Sequence, residues 1–129
     1  MYEERGCIGL PKLRVRNLTR GGIELADRAD VANTSEKRRQ GLLKHTGLEI
    51  GEGLWIVPCE AVHTFFMKFV IDVIFLNKKR QVVKIRENMA LWRLAGSFSA
   101  HSVLELRAGS CARTGTLKGD QLELEKYDA

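Results

Sequence analysis

The sequence predicts a mainly β chain, a compact sandwich or barrel-like domain with one short α-helix. Two observations carry that expectation. Apolar and charged residues alternate at Lys12–Asn17 and again in "QLELEK" near the C-terminal end, and short strand-like runs recur between glycine-bearing turns. Only one stretch, "ADVANTSEKRRQGLLKHTGL", changes to a helical period. A chain of 129 residues that is 44% hydrophobic fits a single domain with one core. The expected boundaries are a loose N-terminal tail at 1–10, a β-rich domain at 11–126 and a C-terminal tail at 127–129.

In chain order, Lys12–Asn17 reads as a strand, "TRGG" at Thr19–Gly22 as its turn, and Ile23–Ala26 as the returning strand. Thr34 or Ser35 then offers an N-cap, Glu36 suits a first turn, and Arg38, Arg39 and Lys44 lie toward the C-terminal end. Leu42 and Leu43 would anchor this helix on a sheet, and Gly47 fits its stop. "IGEG" makes a turn before the strand "LWIVP". "VHTFFMKFVIDVIFL" is rich in Phe, Val and Ile and reads as strand throughout. His63, Phe65, Met67 and Phe69 would share one face, and Thr64, Phe66 and Lys68 the other. With both faces largely apolar, that strand is expected at the centre of the sheet, covered on both sides. "NKKR" at Asn77–Arg80 is a hairpin loop with "QVVKI" returning. "ENMALWRLAGSFSA" reads as irregular, "HSVLEL" as a strand, "AGSCARTGTLKGD" as loop and "QLELEK" as the last strand.

Composition excludes several classes. Charged residues make up 29% of the chain, and no apolar run approaches a membrane span. The N-terminus opens on acidic residues without an apolar stretch of signal-peptide length, which predicts a cytoplasmic protein. Cys7, Cys59 and Cys111 are odd in number and widely spaced, so no disulfide framework is expected. The net charge of +5 and a pI near 9.3 invite a nucleic-acid reading. The basic clusters at Lys12, Arg14 and Arg16, at Lys37–Arg39 and at Lys78–Arg80 carry no nucleic-acid module signature, however, and acidic residues are interspersed elsewhere. Solvated surfaces and turns account for them, and nucleic acid is not an expected partner.

Five ordered motifs, "NTSEKRRQGLL", "GEGLWIVPC", "VHTFFMKFVIDVIFL", "SVLELRAG" and "LKGDQL", resemble the bacterial and archaeal family known as domain of unknown function 192. The resemblance spans roughly Glu24 to Leu124 and implies a compact, mostly β fold with a single short helix. It implies no activity, substrate, cofactor or catalytic residue. Two positions depart from the family pattern: Phe66 stands where a small residue or tryptophan is usual, and Val70 where proline is common. Many members also begin with a secretion signal, a pattern that "MYEERGCIGL" does not show, so an exported location is not expected to be inherited.

The remaining question is what the polar groups inside the apolar run from Pro58 to Leu76 do. Cys59 and His63, with His101 from another strand, are the residue types that hold zinc. On an extended strand, however, a four-residue spacing separates two side chains by about 13 Å. The same residues could form a Cys/His nucleophilic pair, but Glu60 beside Cys59 would raise rather than lower the thiol pKa. Asp72 interrupts Val70–Leu76 and needs a partner, for which a bend toward Lys68, or Arg38, Arg39 or Arg93, would serve. It reads first as a structural brace and second as a carboxylate at a pocket edge. Trp55 suits packing, whereas Trp92 beside Arg93 suits a binding surface. The expected function is therefore binding, with a small polar ligand or a protein as partner. The candidate residues are Lys68 and Asp72, then His63, Arg93 and His101, and no cofactor is specified. The alternative is a hydrolase or metal-dependent enzyme using Cys59, His63 and His101.

Overall fold

A computed structural model of the protein describes residues 11–128; the expected tail at 1–10 lies outside them. Alternation builds the first hairpin, in which β1 (Pro11–Asn17) buries Leu13 and Val15 and turns through Gly21 and Gly22 into β2 (Ile23–Ala32). Both glycines have positive φ, 72° and 79°, which a side chain would strain. Helix α1 (Ser35–Gln40) follows, with the Thr34 hydroxyl accepting from the Lys37 N–H and Gly41 ending it at φ 49°. It forms the crossover that brings β3 (Glu52–Ile56) parallel to β2.

Next come the short β4 (Ala61–His63), then β5 (Ile71–Leu76) and β6 (Val82–Met89). The short β7 (Leu94–Gly96), β8 (Ser102–Arg107), α2 (Ser110–Thr114) and β9 (Leu122–Asp128) complete the chain. Seven strands form a mixed sheet in the order β6-β5-β8-β3-β2-β1-β9, and β4 pairs with β7 as a separate ribbon. The starts of the two edge strands meet: Gln81 and Gln121 form an antiparallel bridge, and the Val82 N–H donates to the Asp120 carbonyl at 2.9 Å. The sheet therefore curls toward itself without closing into a barrel.

Side-chain parity along the central strands separates two cores. Leu104 and Leu106 of β8, Ile74 and Leu76 of β5, and Trp55 of β3 pack with Leu13, Val15 and Leu25 inside the curl. Val103, Val73, Phe75, Leu54 and Ile56 point the other way. They are covered by Leu42 after α1, by Val62 and Ala95 of the ribbon, and by Met67 and Met89. Gly53 lets β3 lie close against β8, since a Cβ there would stand 2.8 Å from Leu106 and 2.9 Å from the Glu105 carbonyl oxygen.

The mainly β expectation holds, with five local differences. The run Val62–Leu76 is not one strand: Thr64–Val70 leaves the sheet, and Phe66 adopts φ 66°. Thr64 is the reason, because its buried hydroxyl donates to the Ala90 carbonyl at 2.7 Å and accepts from the Arg93 N–H at 2.9 Å. A tertiary anchor of this kind overrides β propensity. The helix ends at Gly41 rather than Gly47, and a second helix, α2, occupies part of the stretch expected to be loop. Strands β2 and β6 run longer than their apolar patterns suggest. The last strand continues to Asp128, past the expected boundary at 126.

Candidate functional site

Between α1 with the chain after it, the β4 edge and the outer sheet face lies a cleft of about 550 Å³. Its wall is apolar, formed by Leu42, Leu43, Ile56, Val62 and Met67. Its polar groups come from four elements: Arg38 and Arg39 from α1, Cys59 from the loop after β3, His63 from β4, and Glu105 from β8.

Glu105 is the chemically exceptional group. It is opposite Val73 of β5 and Leu54 of β3, in the middle of the sheet, and only 4% exposed. Among the described residues no hydrogen bond or ion pair reaches its carboxyl. Burial alone pushes its pKa up to about 7. Buried carboxyl groups are ordinarily satisfied by donors or a countercharge, so this one stands ready for a group that enters the cleft. The sequence does not single out Glu105, although the signal is there: one carboxylate between Leu104 and Leu106, in a strand apolar on both sides.

Arg38, on the α1 side of the same cleft, is half-buried. Its guanidinium makes only long contacts, 3.5 Å to the Val57 carbonyl and 3.4 Å to the Ser35 hydroxyl. Among the described residues neither Arg38 nor Arg39 forms an ion pair. The Cys59 thiol donates to the Ala61 carbonyl at 3.1 Å, and burial, with Glu105 adding to it against Arg38, pushes its pKa up. A thiol kept protonated at neutral pH is a poor nucleophile.

The five sequence-predicted site residues are scattered. Of these, only His63 lines the cleft. His101 lines a second, more open cleft of about 820 Å³ with Lys78, Lys79 and Phe98, and Cys59 stands between the two. Lys68 is exposed on the 64–70 excursion, and Arg93 is exposed and folds back on the Leu91 and Trp92 carbonyls. Neither lines either cleft. Asp72 is fully buried inside the curl, where one oxygen accepts from the Asn88 N–H at 2.8 Å and the other from the Cys111 N–H at 2.9 Å. Its partners are backbone donors and not Lys68 or an arginine. Among the described residues no three His, Cys, Asp or Glu side chains form a group that could hold a metal ion.

Outside the cleft, His63 begins an aromatic ridge. Its ring stacks on Phe65 at 4.9 Å, Phe65 on Trp92 at 5.8 Å, and Phe66 meets Trp92 edge-on at 4.8 Å. Phe66 and Trp92 are both exposed and both at positive φ, a conformation that bulky side chains rarely adopt.

Comparison with known proteins places this architecture. The chain belongs to the family domain of unknown function 192 (DUF192), described as an "Uncharacterized ACR", whose model matches residues 16–124. Two crystal structures are similar across most of the chain. One is a protein of unknown function from Novosphingobium aromaticivorans DSM 12444, 26% identical with a TM-score of 0.75, matching 87% of this chain and 83% of that one. The other, from Sinorhizobium meliloti 1021, is described as a "putative transcription regulator". It is 22% identical with a TM-score of 0.77, covers 91% of this chain and 95% of that one, and shows the fold alone. No curated protein matches. Among the described residues no helix is long and apolar enough to cross a membrane.

Proposed function

We propose that the protein is a binding domain for a small polar ligand held in the cleft between α1 and the outer sheet face. The observation that carries this reading is Glu105, a carboxyl buried in the floor of an apolar-walled cleft without a partner. An apolar concavity with a few convergent polar groups and a perturbed acid is the usual form of a ligand site. Of the residues expected from sequence, His63 belongs to this site, and Arg38, Arg39 and Glu105 join it. Asp72 serves the scaffold. Chemistry through Cys59 is disfavoured by its raised pKa. A cytoplasmic setting accords with the free thiols of Cys59 and Cys111.

An amide-resolved NMR screen of small polar molecules tests the reading. Shifts from binders should cluster on α1, β4 and the centre of β8. Binders that perturb only the Lys78–Lys79 cleft or the tail of β9 would contradict it. The ridge of His63, Phe65, Phe66 and Trp92 supports a second reading, a protein partner at the cleft mouth. In that case Trp92→Ser would abolish co-purification of a partner and leave small-molecule shifts unchanged.

A further inference from the structure

The cleft is lined by groups of opposite charge and by an apolar wall. Arg38 and Arg39 stand on the α1 side, and Glu105 forms the floor. Both charges act on one atom: Glu105 raises and Arg38 lowers the pKa of the Cys59 thiol, so both lie within electrostatic reach of it. Yet the two are not satisfied by each other, since no ion pair joins them and Arg38 has only contacts of 3.4 and 3.5 Å.

A simple anion entering here would be held by the arginines but would press against an acid. A simple amine would be held by the acid but would face two guanidinium groups. A neutral polyol would leave both charges without a counterion, at the greater cost for the buried Glu105. A molecule carrying both charges satisfies the whole site. Its carboxylate would take bidentate hydrogen bonds from a guanidinium, its ammonium would donate to Glu105, and an apolar group would lie on Ile56, Val62 and Met67.

We propose that the ligand of this cleft is a small zwitterion with an apolar portion, an amino acid in the broad chemical sense, bound carboxylate to Arg38 and Arg39 and ammonium to Glu105. This rests on the reading of the cleft as the binding site. It has a consequence for protons. An ammonium needs Glu105 ionised, so affinity rises with pH as that carboxyl loses its proton. Arg38 and Arg39 from α1, Cys59 from the loop and His63 from β4 are the other charged or titratable groups facing the cleft. Replacing Glu105 separates its contribution from theirs.

Calorimetric titration of the full chain with L-leucine, 6-aminohexanoate, isoamylamine, isocaproate and glucose tests the proposal, with binding mapped by NMR. One of the two zwitterions should bind at least tenfold more tightly than the amine or the carboxylate. Its affinity should rise from pH 6 to pH 8. Glu105→Gln and Arg38→Gln should each weaken it at least tenfold, with an unchanged circular dichroism spectrum, and Glu105→Gln should remove the pH dependence. Tighter binding of the amine, the carboxylate or glucose in the cleft would overturn the zwitterion and leave the cleft as the site. Absence of any cleft shift with all five probes would overturn both.

Discussion

Replacing Glu105 with glutamine keeps the length and shape of the side chain and removes its charge. Above the ordinary glutamate value of about 4.3 the unfolded chain releases this proton, while the folded chain keeps it up to about 7. The folded state then binds more protons than the unfolded state, so stability falls as pH rises across that interval and levels off above it. The loss is on the order of 3 kcal/mol. Chemical denaturation should therefore find Glu105→Gln close to the native protein at pH 4 and more stable at pH 8. Equal stabilities at pH 8 would show that the carboxyl is already satisfied. A residue that lowers stability at neutral pH and fills a cleft floor has the character of a functional group rather than a packing one. Asp72 is the contrast at the same scale. Its two oxygens are both engaged by backbone donors, and its need for partners was legible because a charge inside an apolar strand must find them. The identity of those partners was not legible, since they are main-chain groups from Asn88 and Cys111 with no side-chain signature.

Helix α2 is joined to that carboxylate. Its N-cap, Gly109, has no side chain to accept from the first turn, and Asp72 supplies the acceptor from β5 instead. The same carboxylate holds the Asn88 N–H, on a residue at φ 47°. Asp72→Asn retains an acceptor for one of these donors and sets an NH₂ against the other. It should destabilise the protein by about 2 kcal/mol and speed hydrogen exchange at the Cys111 and Asn88 amides, with ligand affinity unchanged. A melting temperature equal to that of the native protein would contradict the brace. The pairing of β3 with β8 is equally local in cause. Gly53→Ala should cost about 1–3 kcal/mol, because Leu106 or the backbone at Glu105 must move to admit the new Cβ. Strands with clean alternation, such as β1 and β9, were legible in sequence, as was the N-cap of α1. The excursion at Thr64–Val70 was not, because its cause is a hydroxyl bridging to residues 90 and 93. Helix α2 was hidden for the same reason, its cap lying 39 residues away.

At the scale of the molecule, the curl of the sheet is held where its two edges meet. Asp120 is buried there, accepting from Asn17, from Arg20 and from the Leu117 N–H. Burial pulls its pKa up, but these donors outweigh it and hold the carboxyl below the ordinary aspartate range. Its stabilisation is therefore present above the unfolded value of about 3.9 and is lost as pH falls through the lower folded value. Asp120→Asn should destabilise the protein by about 1–3 kcal/mol at pH 7, with the gap narrowing toward pH 2. No sequence pattern pairs residues 17, 20 and 120, which come together when β9 pairs with β1. The cleft was illegible for the same reason. Its polar groups come from α1, the loop after β3, β4 and β8, and only the folded chain sets Arg38 and Glu105 around one cavity. The proposed site depends on Glu105 being buried, unpaired and turned to that cavity. Carbon-detected NMR titration of the Glu105 side-chain carboxyl, in the ligand-free protein, tests this most directly. A midpoint near 7 is the predicted result. A midpoint in the ordinary glutamate range would mean the group is solvated or already paired, and would remove the cleft as the site of function.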